Sequence, residues 1–283
     1  MFHPTQRFLK NMADKYCVFG NPIGHSKSPI IQAAFARQTG QDIEYRAILA
    51  PSDGFADAVD AFIAEGGKGA NVTLPFKQEA YQLATRLTQR AEQAGAVNTL
   101  VFNDNEVVGD NTDGVGLLRD ITITLNYPIR DKRILLLGAG GAARGVLGPL
   151  LGEHPESLVI ANRTEVRARS LAAHFAPIGP VSGCGYGELA GRAFDIVINA
   201  TSASLSGSMP ALPNGIFAPG SLAYKMMYGL GDTPFRIFAR EQGAGMISEG
   251  LGMLLEQAAE SFFVWRGVRP DCAPVVELLQ KKA

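Results

Sequence analysis

The chain changes repeatedly between short apolar runs and mixed stretches of helical period, and each change marks an element. Tyr16-Cys17-Val18-Phe19-Gly20 is an apolar run ending in glycine, the pattern of a buried strand and its turn. Ser28-Pro29 opens a helix, with Ser28 the expected N-cap and Pro29 at the first helical position; Gly40 closes it. Strands are expected at 45–49 and 69–74, with a helix from Asp53 to about Glu65 between them. Strands alternating with helices predict a mostly parallel α/β sheet. Residues 98–102 and 106–108, joined through Asn103-Asp104-Asn105, read as a hairpin at its edge. A second unit follows Gly109-Asp110-Asn111-Thr112-Asp113-Gly114, with strands at 133–137, 158–161 and 194–199. From Gly250 to Lys281, Leu251, Leu254, Leu255, Ala258, Ala259 and Phe262 recur at helical spacing. This last stretch is expected to return and cover the first unit; the alternative is a terminal helix packed on the second.

Composition narrows the class. Lys plus Arg is 26 against 27 for Asp plus Glu, a net charge of −1, which argues against a nucleic-acid binder. A hydrophobic share of 46% excludes disorder. Cys17, Cys184 and Cys272 are far apart and outside any CxxC spacing, so no metal is expected, and free thiols in a reducing cytoplasm are. The opening residues MFHPTQRFLKNMADK lack the apolar core of a signal peptide, and 1–13 read as a loose extension. The longest uncharged stretch, Ile196 to Tyr224, carries too many Ser, Pro and Gly to cross a membrane.

Candidate chemistry begins at Gly138-Ala139-Gly140-Gly141-Ala142, a G-x-G-x-x-A turn between an apolar strand and an Ala-rich helix. In that context glycines let the main chain approach a pyrophosphate, which sits on the helix N-terminus. The following strand should end in an acid for NAD or in Arg for the 2′-phosphate of NADP. It ends in Asn162-Arg163-Thr164, with Arg167 one turn on, so NADP is favoured. Asn71 and Thr73 lie two apart on a strand and face one side. Pro75-Phe76 then delivers Lys77, which by spacing alone reads as a solvated charge before it reads as a functional one. Ser26 and Ser28 suit either a small carboxylate or a plain helix cap. His25 reads as a structural hydrogen-bonder. Asp113, in a glycine-bracketed loop between the units, is either a cleft residue or a turn aspartate.

Taken together these segments resemble shikimate dehydrogenase. The resemblance rests on GNPIGHSKSP (20–29), NVTLPFK (71–77), GAVNTL (95–100), GDNTDG (109–114), GAGGAARG (138–145), ANRT (161–164), NATS (199–202) and GLGMLLEQA (250–258). It implies two α/β domains: a substrate domain at 1–112 plus 250–283, and a Rossmann-type NADP-binding domain at 113–249. It also implies reversible reduction of 3-dehydroshikimate to shikimate with NADPH. By motif position Lys77 and Asp113 are the catalytic pair. Ser26, Ser28, Asn71, Thr73, Asn98, Asp113 and Gln257 bind substrate, and Tyr228 approaches from the second domain. Gly138, Ala139, Gly140, Gly141, Ala142, Asn162, Arg163, Thr164, Arg167, Thr201, Met226 and Gly250 line the NADP site. A monomer or homodimer in the cytoplasm is expected, without nucleic-acid or membrane partners. Two rivals are an NAD-linked quinate/shikimate dehydrogenase, which should carry an acid near Arg163, and a non-catalytic NADP sensor.

Three positions depart from the family pattern: Lys225 where Asp is usual, Ser204 where Gly is usual, and Glu249 where Asp is usual. Alternation along the segment is expected to turn Lys225 away from the cleft, its stem packed and its ammonium in water. The competing expectation points it into the cleft.

Overall fold

Six short strands before residue 111 form one sheet: β1 (Asp14–Gly20), β2 (Ile43–Leu49), β3 (Gly67–Val72), β4 (Arg86–Leu87), β5 (Thr99–Asn103) and β6 (Glu106–Asp110). In this computed structural model, which describes residues 13–280 apart from 105, 202, 204–207 and 230, their order is β2-β1-β3-β5-β6-β4. The β1–β2, β1–β3 and β4–β6 pairs are parallel; β3–β5 and the β5–β6 hairpin are antiparallel. The expected hairpin is therefore present but is not the edge, because the two-residue β4 lies outside it. The extension at 1–12 and the positions Ser202 and Ser204 fall outside the described residues.

Helices α1 (Ser28–Thr39), α2 (Phe55–Ala64), α3 (Lys77–Leu83) and α4 (Gln89–Ala94) connect these strands. The expected cap at α1 is corrected. Lys27 is the N-cap, without a side-chain hydrogen bond, and Ser28 is already helical. Ser28 instead donates its N–H to the Ser26 hydroxyl at 3.3 Å. Thr73 lies one residue past the end of β3, which holds Asn71.

The second sheet is all parallel: β7 (Arg133–Leu137), β8 (Ser157–Ala161), β9 (Val181–Cys184), β10 (Phe194–Asn199), β11 (Phe217–Lys225) and β12 (Met246–Glu249). Its order, β12-β11-β10-β7-β8-β9, is that of a doubly wound dinucleotide-binding fold, whose ligands bind beyond the strands' carboxyl ends. Unbroken apolar runs suit such a sheet because both faces are covered. Ile134 and Leu136 enter one core with Leu150 and Ile160, while Leu135 and Leu137 enter another with Val197 and Phe235.

Between the sheets lies α5 (Asp113–Arg119), continued by a π-helical turn at Asp120–Thr124. Later come α6 (Gly141–Gly152), α7 (Glu165–Phe175), α8 (Pro234–Glu241), α9 (Leu251–Arg266) and α10 (Ala273–Gln280). Helix α5 wedges between α6 and α9 through two glycines. A Cβ on Gly114 would stand 2.4 Å from Pro149, and one on Gly116 would stand 2.7 Å from Gln257. No side chain fits at either contact. Helices α9 and α10 do return to the first sheet: Leu255, Ala259, Phe262 and Leu279 pack with Ile31 and Phe35 of α1.

Candidate active site

Lys77 is the first residue of α3, and Asp113 is the first residue of α5 rather than a loop residue. Lys77 Nζ donates to Asp113 Oδ2 at 2.5 Å. The other carboxylate oxygen accepts from the Asn98 amide at 2.8 Å, so both are occupied and the carboxylate plane is fixed. Asn98 is buried and its own carbonyl accepts from the Thr112 N–H at 2.9 Å and from the Thr99 hydroxyl at 2.9 Å. Its amide also reaches Gln257 Oε1 of α9 at 3.4 Å. The side chains of Lys77 and Asp113 are 23% and 10% exposed, so the pair is partly open to solvent.

Beside this group Asn71 donates to the Asn98 main-chain carbonyl at 3.2 Å and to the Ser261 hydroxyl at 2.9 Å. Its carbonyl accepts from the Tyr45 hydroxyl at 2.7 Å. Burial holds that phenol well above its ordinary range, opposed by a hydrogen bond with the Ser28 side chain. Tyr45, Asn71, Asn98, Lys77, Asp113 and Gln257 thus form one polar chain, with Ser28 beside its Tyr45 end. Thr73 adjoins it through the main chain, its N–H donating to Phe19 O at 2.9 Å. Tyr45, Thr99, Thr112 and Ser261 were not anticipated. Ser261 had a signal, since it stands one turn beyond Gln257 on an otherwise apolar helix face.

On the second sheet Gly138 follows β7 with φ +107°, and α6 begins at Gly141 with no side-chain cap at Gly140. Its first N–H groups are left for a ligand. Thr201 lies against this turn, 3.3 Å from where a Gly138 Cβ would be. After β8, Asn162 closes on Thr164 O at 2.9 Å. Glu165 and Glu188 both pair with Arg169, at 2.5 and 3.0 Å. Among the described residues Arg163 and Arg167 have no carboxylate within ion-pair reach. Uncapped helical amides beside unpaired guanidiniums fit a phosphorylated dinucleotide.

Residues 18–100 match the family described as shikimate dehydrogenase substrate binding domain, 122–206 match shikimate / quinate 5-dehydrogenase, and 250–280 match shikimate 5'-dehydrogenase C-terminal domain. The chain is 64% identical to "Shikimate dehydrogenase (NADP(+))" of Dechloromonas aromatica, over 96% of this chain and 99% of that one. The chain belongs to the shikimate dehydrogenase family. Among solved structures it is similar to an Ael1 enzyme from Pseudomonas putida, with TM-score 0.89 and 49% identity over 94% of this chain and 98% of that one. It is also similar to the shikimate 5-dehydrogenase of Thermus thermophilus in complex with NADP(H) and shikimate, with TM-score 0.84 and 29% identity over 95% and 100%.

For a shikimate dehydrogenase the surroundings of Lys225 correct the expectation that its ammonium lies in water. Its side chain is 1% exposed, so the ammonium does not reach water. It donates to Gly229 O at 2.8 Å and pairs with Glu249 at 3.4 Å. Tyr228 lies in the intervening turn, its phenol raised by burial. No hydrogen bond among the described residues joins Tyr228 to Lys77 or Asp113. Met226 anchors the same turn, donating to Asn199 O at 3.0 Å, and Gly250 stands directly against its carbonyl.

Proposed function

We propose that the chain catalyses the reversible NADPH-dependent reduction of 3-dehydroshikimate to shikimate, a step of aromatic amino-acid biosynthesis. The observation that carries this reading is the Lys77–Asp113 contact of 2.5 Å, fixed from behind by Asn98. Gly138, Ala139, Gly140, Gly141, Ala142, Asn162, Arg163, Thr164, Arg167, Thr201, Met226 and Gly250 would hold NADPH, which would supply the hydride when bound. Negative charge then develops on the ketone oxygen, and Lys77 meets it with a cation and a proton. In the reverse direction Lys77 takes that proton back. Asp113 holds the ammonium in place and accepts a ring hydroxyl. Ser26 and Ser28 hold the substrate carboxylate, while Asn71, Thr73, Asn98, Gln257 and Tyr228 engage the ring hydroxyls.

Two further features support the reading. Arg163 and Arg167 stand unpaired where a 2′-phosphate would lie, which disfavours the NAD-linked quinate enzyme. The return of α9 brings Gln257 beside Asn98, supporting a substrate domain of 1–112 plus 250–283 and an NADP domain of 113–249. Cys17, Cys184 and Cys272 are unpaired, as in a reducing cytoplasm. The assembly is read as a monomer or homodimer, which light scattering decides. Initial rates with shikimate and quinate, each with NADP⁺ and NAD⁺, test the function. The fastest pair is expected to be shikimate with NADP⁺. Absence of shikimate-dependent NADP⁺ reduction would leave only a sensor.

A further inference from the structure

Lys225 and Glu249 are the last residues of β11 and β12 and stand opposite each other in the parallel register. Burying an ammonium is costly unless it is paired and hydrogen-bonded. Here the hydrogen bond comes from the Gly229 carbonyl at 2.8 Å, and the counter-charge from Glu249, whose Oε2 lies 3.4 Å away, buried and without a hydrogen bond of its own. A second cation repeats the arrangement: Arg236 of α8 lies 3.7 Å from the same Glu249 oxygen and donates to Gly231 O at 3.1 Å. One carboxylate therefore gathers two cations, and each cation reaches a main-chain carbonyl of the turn after β11. The near end of that turn is fixed separately. Met226 donates to Asn199 O at 3.0 Å, and a Cβ on Gly250 would fall 1.8 Å from the Met226 carbonyl. Tyr228 sits between the two fixed ends.

We infer that Lys225, with Glu249 and Arg236, is a positioning group that holds the Met226–Gly229 turn and thereby sets Tyr228 over the substrate. The partners of the ammonium are Gly229 O and Glu249, both within the protein. Its effect is transmitted through the main chain at Gly229, one residue beyond Tyr228. The inference rests on the role given to Tyr228 in the proposed function, and it adds the group on which that role depends. A side chain whose only task was to fill space would need neither the ion pair nor the carbonyl, since a Met of similar length packs without desolvating a charge.

The test compares the parent with Lys225→Met, Glu249→Gln, Tyr228→Phe and the Lys225→Met/Tyr228→Phe double variant. For each, kcat and KM for shikimate are measured at saturating NADP⁺, together with the affinity for 2′,5′-ADP, which probes only the adenosine side. Lys225→Met is expected to lower kcat/KM for shikimate at least tenfold and to leave 2′,5′-ADP affinity within twofold. Glu249→Gln should move the same parameter in the same direction, at least threefold. In the double variant the losses should combine to less than their product, because the ammonium acts through the tyrosine. Parental kinetics for Lys225→Met, or losses that multiply, would overturn the inference. If Lys225→Met loses 2′,5′-ADP affinity through damage to the fold, Glu249→Gln decides, and a change below twofold overturns it. Parental kinetics for Tyr228→Phe alone would count against the tyrosine's assigned role. Lys225 would then act through Met226 if its single variant still failed, and not at all otherwise.

Discussion

Asp113 has two carboxylate oxygens, one taken by the Lys77 ammonium and the other by the Asn98 amide. An ammonium held this way is already placed when charge develops on a ketone oxygen, so its loss falls on turnover. Lys77→Met is expected to lower kcat by about 10²–10⁴-fold, the usual size of a lost acid–base group, with little change in KM for shikimate. Steady-state rates check this, and a variant keeping most of its kcat would remove Lys77 from the chemistry. At the other end of the cleft, Arg163 stands without a carboxylate while Arg169 engages both Glu165 and Glu188. A hydrogen bond to a charged group contributes about 1.5–3 kcal/mol, and each 1.4 kcal/mol is about tenfold. Arg163→Ala should therefore raise KM for NADP⁺ at least about tenfold and leave NAD⁺ nearly unchanged. An equal loss with both nucleotides would make the arginine structural.

Among elements, Arg90 of α4 ties β6 to α9: it grips Asp110 with two contacts of 2.6 Å and Glu260 with one of 2.8 Å. Burial works to raise Asp110, but the hydrogen bonds and charge of Arg90 outweigh it and hold the carboxyl below its ordinary value. Removing the cation strands a buried carboxylate, so Arg90→Met is expected to cost about 3–5 kcal/mol in urea melts at neutral pH. A carboxyl depressed in the folded chain contributes stability that is present above its unfolded pKa of about 3.9 and lost as pH falls through the folded value. The gap between parent and variant should therefore narrow below about pH 4; a constant gap would sink the account. Elements also differ in how far the sequence announced them. The strand at 133–137 is readable to the residue, because after Arg133 a covered strand is a plain apolar run, Ile-Leu-Leu-Leu. Strands β4, Arg-Leu, and β9, Val-Ser-Gly-Cys, carry no such pattern and exist through the neighbours that pair with them. The site divides in the same way. Lys77, Asp113 and the serines were named because their motifs are specific. The burial of Lys225 was hidden, since its counter-charge is 24 residues along the chain, in register across β12.

At the scale of the whole molecule, the last helices belong structurally to the first sheet. Ile31 and Phe35 of α1 are fully buried, and what buries them is Leu255, Phe262, Val275 and Leu279. Fully exposing such side chains costs about 1.5–3 kcal/mol each. A chain cut after Gly250 is therefore expected to keep 2′,5′-ADP binding by β7–β12 while losing shikimate binding and gaining dye-detectable apolar surface. Retained shikimate affinity in the cut chain would show that α9 is dispensable. The same arrangement has a consequence on the ribosome. More than two hundred residues separate Thr39 from Leu251. At about 5–20 residues per second, the apolar flank of α1 waits for roughly 10–40 s before its cover is made. The nucleotide-binding half, encoded second, can meanwhile close on its own local contacts. The nascent chain, rather than the finished enzyme, is then the form most exposed to aggregation, and its vulnerable surface is the one synthesised first.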